Sequence, residues 1–115
     1  MVRKPQDQTI EYKCIRNGNG ETEMRKLLNG AEELYGKGRM FNHMTLLPGR
    51  SIGTHTHEGD NEIFYFLSGY GEYNDNGTVV TVGPGDVAVC SDGETHGLVN
   101  SGTEPLTFIA LILYS

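Results

Sequence analysis

His55 and His57 stand one residue apart, and Glu62 follows shortly after them. On a strand, positions i and i+2 face the same way, so the two imidazoles aim at one point. Gly59-Asp60-Asn61 between them is turn-prone. A strand starting at Glu62 can bring its carboxylate back beside the imidazoles. His96, near the end of Gly85–Asn100, is a fourth ligand-type residue. Nitrogen and oxygen donors of this kind suit one divalent transition metal ion: iron, manganese, nickel, cobalt, copper or zinc. Three neutral imidazoles and one carboxylate leave such an ion a net positive charge. They also leave positions open for water, dioxygen or a chelating anion, a small carboxylate among them.

Other residues near these four could take part. Glu58 and Glu94 sit beside ligand positions; each reads as a general base at a cavity mouth or as a solvated loop carboxylate. His43, on the strand before, reads as a proton carrier behind the site or as a satisfied polar group. Sequence leaves its facing open, and that of Cys90 too. Arg39 and Arg50 are candidate anchors for a substrate carboxylate. Tyr65 and Tyr73 read as packing residues.

Both stretches resemble the cupin family. The first carries Gly49, His55, His57, Glu62 and Gly69 at the family's spacing, and the second Gly85, Gly93, His96 and Asn100. Ser91 departs from the pattern, where proline is usual. The resemblance implies an all-β jelly roll, a double-stranded β-helix barrel, with His55, His57, Glu62 and His96 as the metal ligands. Asp92-Gly93-Glu94-Thr95-His96-Gly97 is similar to small cupins of the oxalate decarboxylase and germin group. Cupins include dioxygenases, decarboxylases, isomerases and non-catalytic binders, so two readings stand. One is an enzyme acting on a small carboxylate or other oxygen-rich metabolite; the other is a binding or sensing module without turnover.

The elements that position these residues follow from periodicity. Thr9–Ile15 alternates as a half-buried strand. Glu21–Tyr35 shows apolar residues at helical spacing, interrupted by Asn29-Gly30, and predicts a short helical segment. Strands are expected over Arg39–Leu47, Ser51–His57, Glu62–Leu67 and Tyr70–Tyr73, with Asn76-Gly77 turning the chain into Thr78–Val82. Asp86–Cys90, His96–Asn100 and Pro105–Tyr114 follow. Residues 1–115 are expected to form one domain: a strand and helical arm over 1–37 and the barrel over 38–114.

Composition bounds the class. At 37% hydrophobic and 21% charged residues the chain is globular. Its net charge of −6 argues against nucleic acid and anionic membranes. Two isolated cysteines and no signal-like start predict a cytoplasmic protein with reduced thiols. Apolar outer positions, Ile63, Tyr65 and Leu67 with Ile109, Leu111 and Leu113, need cover that one small barrel cannot supply. The resemblance implies a homodimer in which the first strand takes part.

Overall fold

The structure is a computed structural model and describes all residues, 1–115. Ten strands are present: β1 (Ile10–Lys13), β2 (Thr22–Leu28), β3 (Gly38–Leu46), β4 (Ser51–Thr56), β5 (Asp60–Ser68), β6 (Gly71–Asp75), β7 (Thr78–Val82), β8 (Val87–Cys90), β9 (Thr95–Val99) and β10 (Leu106–Tyr114). One short helix, α1 (Gly30–Glu33), and a 3-10 turn at Pro5–Asp7 complete the list of elements. The strands form two antiparallel sheets, ordered β1-β2-β3-β10-β5-β8 and β4-β9-β6-β7. β3 to β10 make the eight-stranded jelly roll; β1 and β2 extend one sheet at its edge.

Alternation explains the core. Leu106, Phe108, Ala110 and Ile112 on β10 and Phe64 and Phe66 on β5 face inward and are almost fully buried. Each large apolar side chain buried this way stabilises the fold by roughly 1.5–3 kcal/mol. The β6–β7 turn is the two-residue Asn76-Gly77 turn, with φ of 51° and 96°. Positive φ at both residues gives the backbone twist that a tight hairpin needs.

The helical expectation over Glu21–Tyr35 holds only for Gly30–Glu33. Its first half is β2, paired with β1 on one side and β3 on the other. Thr22 and Met24 alternate inward as strand residues and are buried. Apolar spacing of that length fits either period, and pairing on both sides decides for the strand. β1 is not half-buried: all four of its residues are exposed. After β1 the chain crosses to the second sheet. The Ile15 carbonyl accepts the N–H groups of Gly18 and Gly53, and the Asn19 carbonyl accepts that of Ser51. This crossing lays Lys13 to Arg16 over one side of the barrel.

Candidate metal centre

β4 carries an extra residue. Ile52 pairs with Leu98, but His55 pairs with His96, so Gly53 and Thr54 together oppose the single residue Gly97. Such a bulge re-aims the side chains beyond it. Ile52 faces the core, and past the bulge His55 and His57 also face inward, while Thr54 and Thr56 are exposed. The bulge needs glycines: a Cβ at Gly53 would collide with the Arg16 carbonyl, and one at Gly97 with Thr54.

The four predicted ligands come together. The Nε2 atoms of His55, His57 and His96 lie 3.2 Å from one another in all three pairs. Glu62 Oε1 is 3.1 Å from Nε2 of both His57 and His96. His57, Glu62 and His96 are buried. These four side chains could hold one metal ion.

Each ring is oriented from behind. His55 Nδ1–H donates to the Gly53 carbonyl at 2.6 Å, and His57 Nδ1–H to Asp60 Oδ1 at 2.6 Å. Both partners only accept, which assigns the proton to Nδ1 in the neutral rings. His96 Nδ1 meets the Tyr73 hydroxyl at 2.7 Å. Neutral rings held this way turn Nε2 lone pairs toward one centre. Lone pairs crowded so closely need a cation between them, a metal or a proton.

The donor set fits a metal. Five of the six donor pairs are 3.1–3.2 Å apart. The sixth, His55 with Glu62, is the wide one, at no more than 4.8 Å. A tetrahedral set would have six equal separations. Five short separations and one wider one therefore do not form a regular tetrahedron and leave one side of the cluster open to further donors.

The surrounding charges act on these groups. The hydrogen bond to Glu62 raises the His57 imidazole above its ordinary range; burial opposes this and Asp60 adds to it. Burial lowers His55. Burial alone would raise the Glu62 and Asp60 carboxyls. Hydrogen bonds from His57 and His96 outweigh it at Glu62, and those from His57 and Arg39 at Asp60, so both stay low. Without metal, His57 between the two carboxylates therefore keeps its proton to higher pH than a free imidazole.

Asp60 and Tyr73 were not anticipated in these roles. Asp60 read as a turn residue, yet it opens β5 and joins His57 to Arg39, whose Nε donates to Asp60 Oδ2 at 3.0 Å. Tyr73 does pack in the core, at 4% exposure, but its hydroxyl also reaches His96. Nothing in the local pattern separates such a tyrosine from a packing one.

A cavity of about 290 Å³ opens above the cluster. His55, His57 and Glu62 line it, and Lys13, Arg16 and Arg39 add positive charge. Other anticipated residues lie elsewhere. His43 is on the outward side of β3, paired with Ile109 and Arg25. Glu58 is exposed and does not line the cavity. Glu94 braces a turn: it accepts the Ser91 N–H at 2.8 Å and the Asn76 amide at 2.9 Å. Proline at position 91 would lack that N–H. Arg50 donates to the Glu21 carbonyl away from the cavity. Cys90 faces inward, paired with Glu62, and burial pushes its thiol up to about 11.

Known proteins share this architecture. An oxalate-binding protein of Thermotoga maritima is 44% identical over 113 residues, 98% of this chain and 93% of that protein. A solved structure from the same organism, described as a predicted oxalate decarboxylase, matches with a TM-score of 0.94 and 41% identity over the whole of both chains. A Klebsiella pneumoniae protein with a double-stranded β-helix domain matches at TM-score 0.62 and 32% identity, over 65% of this chain and 62% of that one. A cupin-domain family model matches residues 42–112, a span that includes all four clustered side chains. With that span matched and a near full-length relative at such identity, this chain belongs to the cupin family.

Proposed function

We propose that His55, His57, Glu62 and His96 bind one divalent transition metal, and that the metal-loaded protein captures a small chelating carboxylate of the oxalate type. The observation that carries this reading is the convergence of three imidazole nitrogens and one carboxylate oxygen at the base of an open cavity. The bound ion would supply a Lewis-acidic centre with exchangeable positions. The chain's own residues orient the donors, through Gly53, Asp60 and Tyr73, and shield them from bulk water. The Thermotoga relative's description as oxalate-binding supports the choice of ligand.

Capture without turnover is the favoured form. Decarboxylation and isomerisation need a group that moves a proton. Apart from Glu62, His55 and His57, the side chains of the lining able to move a proton are Lys13 and Cys14, both exposed at its outer end. Metal analysis of purified protein, then calorimetry with oxalate before and after metal loading, tests the reading. Near-stoichiometric metal and metal-dependent oxalate binding are expected, with oxalate recovered intact. Oxalate binding that ignores the metal would sink it, and oxalate consumption would turn it into the enzymatic reading.

The protein is also proposed to be a homodimer. Two apolar rows cross the outer face of the larger sheet: Phe41–Leu111–Ile63–Val89, and Ile109–Tyr65–Val87 beside His43. Tyr65, Val87 and Val89 are 46–61% exposed. A second copy laid on this face, with β1 at its edge, would cover them. Sedimentation as a monomer at micromolar concentration would refute this. Two free thiols, Cys14 and Cys90, are compatible with the cytoplasm. No helix is long and apolar enough to cross a membrane.

A further inference from the structure

The cavity is larger and more varied than oxalate requires. A water needs on the order of 10–30 Å³. At about 290 Å³ the cavity has room for far more than a two-carbon diacid. Its lining changes with depth. Glu62 and His57 are buried at the floor. Met24, Met44 and Ile52 make apolar walls, with Met40 and Ile15 partly buried beside them. Lys13, Arg16 and Arg39 are exposed at the rim.

Two of the three rim charges lack partners of their own. Lys13 and Arg16 make no side-chain hydrogen bond or ion pair; the neighbouring lysine that does, Lys26, pairs with Glu11. Arg39 uses Nε on Asp60 and keeps its two terminal nitrogens free. In a chain of net charge −6, three cations gathered over one cavity form a local site for an anion. Between floor and rim, flexible thioethers adapt to an aliphatic chain.

We propose that this site takes a chelating acid longer than oxalate: a 2-hydroxy or 2-oxo carboxylate joined by a short aliphatic chain to a second carboxylate. The chelating end lies at the His55–His57–Glu62–His96 cluster, the chain against Met24, Met40 and Ile15, and the far carboxylate among Lys13, Arg16 and Arg39. This rests on the metal-bound acid proposed above and adds its length and its second charge.

Calorimetry on nickel-loaded protein with oxalate, glycolate, 2-hydroxyvalerate and 2-hydroxyglutarate tests it. Affinity is expected to rise from glycolate to 2-hydroxyvalerate, and by about tenfold more to 2-hydroxyglutarate, the effect of one charge-assisted contact. The Lys13→Gln/Arg16→Gln double variant touches no clustered ligand. It is expected to weaken 2-hydroxyglutarate by about tenfold while metal content and glycolate affinity stay unchanged. Cys14 gives an independent readout: it is exposed and lines the cavity, whereas Cys90 is buried. Bound 2-hydroxyglutarate should slow maleimide alkylation of Cys14, and glycolate should not. Oxalate binding with no preference among the three hydroxy acids, or an equal loss of all of them in the double variant, would overturn this inference alone. Failure of all four acids to bind nickel-loaded protein would overturn the metal-bound acid as well.

Discussion

His57 and His96 are the same residue type in the same cluster, yet they are held by different parts of the molecule. Behind His57 stands Asp60, a carboxylate, and behind Asp60 the rim residue Arg39. Behind His96 stands the neutral hydroxyl of Tyr73, deep in the core. A charged acceptor makes the imidazole more basic and a stronger donor to a metal. A neutral hydroxyl fixes the ring's direction and adds little charge. One imidazole is thus tuned electrostatically from the cavity rim, and the other is held sterically by packing.

The largest effects test whether both rings are needed at all. His57→Ala and His96→Ala should each abolish metal retention through desalting, measured by elemental analysis. They should differ in metal-free stability. Removing His57 leaves Asp60 and Glu62 without a shared partner in a buried place, so its melting temperature should fall below that of His96→Ala. Equal melting temperatures would break the comparison.

Smaller changes sharpen it. Asp60→Asn keeps the shape and removes the charge; metal affinity should fall by about 100-fold, the upper end for such partners. Tyr73→Phe removes only a hydroxyl and should cost about tenfold, with the fold intact. Competition with a chelator measures both. The reverse order would mean that direction matters more than charge.

Protons give the gentlest test. Without metal, His57 is raised, so its stabilisation is complete below its unfolded value near 6.5 and is lost as pH rises through the raised folded value. Asp60 and Glu62 are lowered, so theirs is present above their unfolded values and is lost as pH falls through the folded ones. His55, lowered by burial, works against His57 and shallows the slope. Metal-free protein should therefore melt highest at mildly acid pH and lower toward pH ~8. Metal replaces the His57 proton, so the gain in melting temperature on loading should widen as pH rises. A gap independent of pH would contradict a proton held between His57 and Glu62.

Much of this was legible in residue order. The alternation of Leu106 to Ile112 marked a strand and its inner face, and Asn76-Gly77 marked the β6–β7 turn, because both signals are local. The four clustered side chains were legible through spacing. β2 was not, because its apolar residues suit two periods and only pairing with β1 and β3 selects one. Asp60 and Tyr73 were hidden for a related reason: their roles depend on which ring nitrogen they meet across the fold. The facing of Cys90 awaited the register that pairs it with Glu62.

The extra residue in β4 makes position there a matter of parity. Straightening the bulge with its residue count kept would restore an even ladder with β9 and set Thr54, in place of His55, opposite His96. Every side chain beyond that point would change sides, sending His55 and His57 to solvent and Thr54 and Thr56 inward. A more regular sheet would then part both imidazoles from Glu62 and His96. Between Ile52 and His55, the bulge decides which side chains reach the cluster as firmly as residue identity does.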